Sequence, residues 1–172
     1  RTSLSRLKKN ANYLFCIGGD SNLGNKFSEV YSGNLFRGNE SKSGEGSGLE
    51  QTETIRKEIP LLLESLKATS FMDAPCGDFF WMSKTDLSVD KYYGVDVLED
   101  VIKENIASYS ATGRVFLQRN LTKDDLPRAD VVLCRDCLVH LSFKQSFNII
   151  KNFKASGSAY LLVTTFTGRN KN

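Results

Sequence analysis

The chain has 172 residues with a formal net charge of +3, and 40% of its residues are hydrophobic. This length and composition are typical of one globular domain with a hydrophobic core. No run of about 20 apolar residues occurs, which predicts that no segment spans a membrane. The basic residues are scattered apart from Arg6, Lys8 and Lys9, and this small cluster does not indicate a nucleic-acid partner.

The four cysteines, Cys16, Cys76, Cys134 and Cys137, do not form a metal-site pattern. Cys134 and Cys137 make one C-x-x-C pair, but no second pair stands at zinc spacing and the only histidine is His140. Because this pair lies at the end of an apolar segment, we predict buried free thiols and no metal. Free thiols are typical of a reducing compartment, so the predicted localisation is cytoplasmic.

Residues 1–50 are rich in glycine, serine and asparagine, which predicts an irregular extension before a second unit, residues 51–172. The stretch over residues 41–48 has the composition of a flexible loop. Composition alone favours a linker between the two units. Its glycines and its place before the first helix also suit a lid over a pocket, and the lid is the functional hypothesis for this segment.

From residue 50 on, predicted helices and strands alternate. Apolar residues at helical spacing predict a helix over 50–66, which Pro60 should kink or split. Further helices are predicted over 101–109 and 143–154, with a short helix or turn at 79–82. Strands are predicted over 70–74, 92–97, 115–117, 130–135 and 160–165. This alternation predicts an α/β fold with a mainly parallel sheet and ligands at the carboxyl ends of its strands.

The turn after the first strand, residues 73–78, is acidic and has one glycine, Gly77. Dinucleotide turns follow Gly-x-Gly-x-x-Gly, whose bare amides face a pyrophosphate. Here Asp73 and Asp78 flank the glycine, and a carboxylate about 4 Å from a pyrophosphate repels it by roughly 4 kcal/mol at an effective dielectric near 20. Asp96 ends the second strand, where an acid binds ribose hydroxyls. S-adenosylmethionine fits this pattern, because it has a ribose, an ammonium and no phosphate.

Four motifs follow one another along the chain. They are Ser-Lys-Ser-Gly-Glu-Gly-Ser at 41–47 with Gln51-Thr52, Asp-Ala-Pro-Cys-Gly-Asp-Phe-Phe-Trp-Met at 73–82, Cys-Arg-Asp-Cys-Leu-Val-His-Leu-Ser at 134–142, and Thr-Thr-Phe at 164–166. With these motifs the chain resembles class I S-adenosylmethionine-dependent methyltransferases, and most closely a bacterial-type group that has the same motifs. The resemblance covers roughly residues 51–165.

The resemblance implies a Rossmann-like sheet with helices on both faces, S-adenosylmethionine as cofactor and methyl transfer as activity. Two features depart from the wider family. Pro75 and Phe79 stand where its turn has the first and third glycines. The family's sixth and seventh strands have no counterpart before Asn172, so we expect a sheet of five strands.

The resemblance also implies site residues. Those for cofactor binding are Gln51, Asp73, Ala74, Pro75, Cys76, Gly77, Asp78, Asp96, Val97, Asn120, Leu121 and Cys134. Asp96 is expected to bind the ribose, and Asp73 and Asp78 the ammonium. Asn120 is expected to accept a bond from the adenine amino group, with a plain turn residue as the alternative.

The residues expected to act in the reaction are His140, Arg135 and Asp136, which follow the fourth strand. His140 is the only side chain with an ordinary pKa near neutrality and suits a general base, although a structural histidine bonded to backbone is the slightly favoured alternative. Arg135 and Asp136 also suit an internal ion pair. Trp81 suits either a pocket wall or the core.

The sequence therefore predicts an S-adenosylmethionine-dependent methyltransferase. A small-molecule or sugar hydroxyl is the preferred acceptor, because no basic groove with aromatics indicates nucleic acid. The alternative is a catalytically inactive interaction protein that has kept the fold. A nicotinamide dehydrogenase is disfavoured by the acidic turn.

Overall fold

The computed structural model describes residues 39–164, together with Ser28, Tyr31 and Gly33. Its strands are β1 (Ser70–Asp73), β2 (Lys91–Asp96), β3 (Arg114–Gln118), β4 (Val131–Cys134) and β5 (Tyr160–Val163). Its helices are α1 (Glu53–Ser65), α2 (Glu99–Tyr109) and α3 (Phe143–Ala155), with short 3₁₀ helices at Glu45–Ser47, Met82–Lys84 and Leu138–His140. The five strands form one parallel sheet in the order β3-β2-β1-β4-β5.

The predicted α/β fold is confirmed, and each long helix and strand lies within three residues of its predicted bounds. The segment 79–82 is a turn that leads into the 3₁₀ helix at Met82. Thr165, the predicted end of the last strand, lies outside the described residues. Of the two predicted effects of Pro60, a kink or a split, the split is wrong, since α1 is one helix that contains Pro60. Burial of Ile59 and Leu63 in the core stabilises the helix there despite the missing N–H donor.

Helices cover both faces of the sheet. Successive side chains of a strand point to opposite faces. Phe71 packs in a cluster with Leu63 of α1 and Ile102 of α2, whereas its neighbour Met72 packs in a second cluster with Ile149 of α3. Helices α1 and α2 therefore lie on one face and α3 lies on the other. Within residues 39–164, no helix has the length and apolar character needed to cross a membrane.

The strand order creates a crevice beside β1. The chain passes from β1 to β2 and β3 on one side and then returns to β4 on the other side of β1. Ligands of open parallel sheets bind where the strand order reverses, outside the carboxyl ends of the strands. Asp73 ends β1, Asp96 ends β2 and Cys134 ends β4. The fold therefore brings the acidic motifs of the sequence to one edge.

Candidate cofactor and active site

A cavity of about 380 Å³ opens at this edge. Its volume lies within the range of small-molecule and cofactor sites. Most predicted site residues line it, namely Asp73, Pro75, Cys76, Gly77, Asp78, Asp96, Val97, Asn120, Leu121, Arg135, Asp136 and His140. Residues that are far apart in the sequence are thus collected in one place by the parallel order of the strands.

Three predicted residues do not line the cavity. Ala74 and Cys134 are buried in the core cluster that includes Ile149 of α3, and neither residue lines the cavity. Gln51 is exposed, because it belongs to the turn before α1 begins at Glu53. The cofactor-binding roles of these three residues stay predictions.

The turn over residues 75–78 is fixed by side chains from the next strand and helix. The Gly77 N–H donates to Asp96 Oδ2 at 3.1 Å, and Asn105 Nδ2 of α2 donates to the Gly77 carbonyl at 2.7 Å. Gly77 has φ of +52°, and a Cβ there would collide with Ser43 Oγ. Both the backbone conformation and the close approach of the preceding loop therefore require glycine.

The Asp96 carboxylate is 6% exposed at the end of β2. Its Oδ2 accepts from the Gly77 N–H, and its Oδ1 accepts from the Leu98 N–H at 3.0 Å. Burial raises the pKa of this carboxyl above its ordinary value, although the backbone N–H bonds oppose the rise. Each oxygen has a further lone pair, so the carboxylate is oriented and can still accept from a ligand.

The Asp73 carboxyl lies still deeper, with 2% of the residue exposed. The Tyr92 hydroxyl donates to Asp73 Oδ2 at 3.0 Å. Burial raises the pKa of Asp73 to about 7, even though this bond and the charge of Arg135 lower it. A cation that enters the cavity favours the ionised form of Asp73.

Asp78 anchors the loop over residues 41–48, a role that the sequence did not predict. Its carboxylate accepts from Ser41 Oγ at 2.9 Å, from the Lys42 N–H at 2.8 Å and from Ser43 Oγ at 3.2 Å. Ser41 is only 2% exposed as a result. Residues 43–47 then form one wall of the cavity. The loop is thus packed on the site by an acid of the β1 turn.

Asn120 lines the cavity, but its side-chain oxygen is used locally. Asn120 Oδ1 accepts from the Thr122 N–H at 2.9 Å and from Thr122 Oγ1 at 2.7 Å. Its own N–H donates to Asp124 Oδ2 at 2.7 Å. This pattern is an Asx-type turn. It agrees with the alternative interpretation, in which Asn120 is a turn residue.

Arg135 and Asp136 form an internal ion pair, which was the alternative to a role in the reaction, with 3.1 Å between Arg135 Nη2 and Asp136 Oδ2. Arg135 Nη2 also donates to the Gly46 carbonyl at 2.7 Å, so it is a second anchor of the 41–48 loop. The guanidinium carbon lies 5.5 Å from the centroid of the Trp81 ring, a cation–π distance. Trp81 is 6% exposed and lines the cavity, so it serves both as core residue and as pocket wall.

His140 ends a 3₁₀ helix at the rim of the cavity and is partly buried. Burial lowers the pKa of its imidazole below 6.5, and the nearby Asp136 opposes this by raising it. The neutral imidazole is therefore the main form at pH 7. A neutral imidazole can accept a proton, which is what a general base requires.

The described cysteines, Cys76, Cys134 and Cys137, are free thiols. Burial raises the pKa of Cys76, and contact with Cys134 together with burial raises that of Cys137. Cys16 lies outside the described residues. In the part of the chain that the structure describes, no three acidic, histidine or cysteine side chains are grouped as for a metal ion.

Several cavity residues were not predicted from the sequence, namely Tyr31, Leu98, Val101, Thr122, Cys137, Leu141 and Ile149. Leu98 and Val101 follow the acid that ends β2, and an apolar residue just after such an acid is a usable signal for a pocket wall. Tyr31 has no comparable signal, because it reaches the cavity from a separate part of the chain.

No protein-family model and no curated protein matches the sequence. Solved structures do match. The methyltransferase domain of bacterial CtHen1-C has a TM-score of 0.57 at 19% identity over 67% of this chain and 65% of that chain. Human N-acetylserotonin methyltransferase with S-adenosylmethionine has a TM-score of 0.58 at 15% identity over 91% of this chain and 46% of its own. NodS, an N-methyltransferase from Bradyrhizobium japonicum WM9 in complex with S-adenosylhomocysteine, has a TM-score of 0.53 at 14% identity over 62% of this chain and 56% of that chain.

The chain has the Rossmann-like fold of class I S-adenosylmethionine-dependent methyltransferases. It spans slightly less than two thirds of CtHen1-C and about half of the other two methyltransferases. At these identities the methyltransferase fold is the shared property.

We expect Asp73→Asn to stabilise the unliganded protein more at pH 8 than at pH 4. The folded-state pKa of Asp73 is about 7 against an ordinary 3.8, so its contribution to stability is full below about pH 4 and is lost as the pH rises through 7. The asparagine variant does not titrate, and its carbonyl still accepts from Tyr92. Its melting temperature should therefore exceed the wild-type value by an amount that grows between about pH 4 and pH 7.

Calorimetric unfolding across this pH range measures the difference directly. Asp86→Asn, at an exposed position away from the cavity, is the matched control and should follow the wild-type pH profile. A constant difference between Asp73→Asn and the wild type at all pH values would show that Asp73 does not titrate with a raised pKa.

Proposed function

We propose that this chain binds S-adenosylmethionine and transfers its methyl group to a hydroxyl of a small molecule or sugar. The observation that supports this most is the pair of buried carboxyls, Asp73 and Asp96, in one cavity at the point where the strand order reverses. Two buried carboxyls of raised pKa in one cavity favour a ligand that brings hydroxyls and positive charge, although the Arg135 guanidinium also lines this cavity and lowers the pKa of Asp73.

The side chains in the cavity fit the parts of this cofactor. Asp96, oriented by two backbone N–H groups, would accept from the two ribose hydroxyls. Asp73 would face the ammonium, and its ionisation would follow the arrival of that charge. Apolar Val97, Leu98 and Leu121 would contact the adenine. A pyrophosphate would instead meet Asp73 and Asp96 in a buried place, which disfavours a dinucleotide.

The bound cofactor supplies an electrophilic methyl group on a positively charged sulfur. The chain itself would hold the acceptor beside β4, where Arg135, Asp136 and His140 line the cavity. His140, neutral because burial lowers its pKa, would take the proton of the acceptor hydroxyl. The remaining contribution is positioning and exclusion of water, which are the usual means of such a transfer.

Calorimetry with S-adenosylhomocysteine tests the cofactor. The wild-type chain should bind it, and Asp96→Ala should weaken binding by about tenfold or more, because charge-assisted bonds to two ribose hydroxyls are lost. Asp96→Asn, which keeps one acceptor oxygen for the turn, should show a smaller loss. Asp86→Ala is the exposed control. Thermal unfolding of each variant shows that it is folded. Binding of NAD, with no binding of S-adenosylmethionine or S-adenosylhomocysteine, would refute the proposal.

His140→Ala tests the base. With radiolabelled S-adenosylmethionine and a panel of monosaccharides and phenols, the variant should transfer methyl groups about a hundredfold more slowly than the wild type. Its affinity for S-adenosylhomocysteine should be unchanged. The wild-type rate should stay level from pH 8 to below 6.5 and fall only in more acid solution, since burial lowers the pKa of His140. No transfer by the wild type to any acceptor would favour the inactive interaction protein.

We also propose that the 41–48 loop is a lid. Asp78 holds the start of the loop and Arg135 bonds the Gly46 carbonyl near its end, and the glycines of the loop permit it to move. Amide exchange across residues 44–48 should slow when S-adenosylhomocysteine is added. Asp78→Ala, which loses the anchor at Ser41 and Ser43, should exchange faster there than the wild type without ligand. Equal amide exchange across residues 44–48 with and without ligand would show that the segment is a linker and not a lid.

A further inference from the structure

The Tyr31 hydroxyl is a buried polar group that the cavity leaves unsatisfied. Its oxygen is shielded from solvent and has no hydrogen-bond partner among the residues that the structure describes. Tyr31 lines the same cavity as Asp96. A buried hydroxyl without a partner is costly and uncommon in folded proteins. Its position on a cavity wall indicates that its partner is a ligand atom.

The surroundings of Tyr31 are negatively charged. Burial and the carboxylates of Asp78, Glu104 and Asp96 raise its pKa well above the ordinary 10, so the phenol stays protonated and can donate. Lys42 Nζ lies 5.9 Å from the centroid of the ring and is itself paired with Glu104 at 3.3 Å. A ligand carboxylate placed here would face three protein carboxylates and is disfavoured. A neutral acceptor, such as a hydroxyl oxygen, fits.

We propose that the Tyr31 hydroxyl donates to a ribose hydroxyl of the adenosyl ligand. This rests on the proposed function, in which Asp96 accepts from the same diol. Both ribose hydroxyls then donate to Asp96, and their oxygens keep lone pairs for a donor on the other side. Tyr31 is thus a positioning residue that holds the ribose from the N-terminal part of the chain.

Tyr31→Phe tests this, because it removes the hydroxyl and keeps the ring. The variant should bind S-adenosylhomocysteine about five- to tenfold more weakly than the wild type. It should bind 5′-methylthioadenosine more weakly by the same factor, because that compound has the ribose and lacks the amino-acid part. Its melting temperature without ligand should equal or exceed that of the wild type, since an unsatisfied buried hydroxyl is gone. Tyr160→Phe, an exposed tyrosine away from the cavity, is the control and should change neither affinity.

Each other result overturns the inference. Equal affinities of Tyr31→Phe and the wild type would show that the hydroxyl makes no bond to the ligand. A loss for S-adenosylhomocysteine alone would place the bond at the amino-acid end instead of the ribose. A lower melting temperature with unchanged affinities would make the hydroxyl structural. If the wild-type chain binds neither compound, the proposed function fails and this inference fails with it, whereas the first three results leave the proposed function intact.

Discussion

The cavity depends on one chain reversal, the turn over residues 75–78, and on the two bonds that fix the peptide of Gly77. Asp96 accepts from its N–H and Asn105 donates to its carbonyl, so β2 and α2 together determine the path of the chain after β1. The turn then places Asp78 where it binds the preceding loop, and Phe79 where its ring packs on Tyr92, Tyr109 and Phe116. Loop, cavity and core are therefore joined at this turn, and no glycine-rich sequence is needed to form it.

The same arrangement leaves polar groups at the cavity that the unliganded chain does not satisfy well. Asp73 and Asp96 are buried carboxyls of raised pKa, and the Tyr31 hydroxyl has no partner among the described residues. Unsatisfied polar groups in a binding site lower the stability of the empty protein, and binding of the ligand restores that stability. The outer walls are built differently, since the carboxylate of Asp78 is satisfied by Ser41, Lys42 and Ser43. The Asp78 carboxylate is thus hydrogen-bonded in the unliganded chain, whereas the Tyr31 hydroxyl has no partner among the described residues.

The fold and the acidic centre could be predicted because their signals are local. Alternating helical and strand patterns fixed the element order, and acids directly after strands pointed to the edge where Asp73 and Asp96 meet. The loop-anchoring role of Asp78 was not predicted, because a distant partner decides it. Asp78 is separated from Ser41 by 37 positions, and nothing in the local pattern shows that its carboxylate is used by that loop. Asn120 forms its own turn with Thr122, and Gln51 lies just outside α1 and faces solvent. Pro60 is tolerated because its neighbours are buried, which depends on the packing of α1 on the sheet.

Trp81 is the only tryptophan of the 172 residues, and it lies in the cavity wall with the Arg135 guanidinium 5.5 Å from the centre of its ring. The indole emission of the whole chain therefore arises at one place, beside a charge that also contacts the 41–48 loop through Gly46. Indole emission responds to nearby charge and to water. A displacement of the loop or of Arg135 would shift the emission with no background from other tryptophans. Tryptophan fluorescence of the native chain therefore measures movement of the loop or of Arg135 at the cavity.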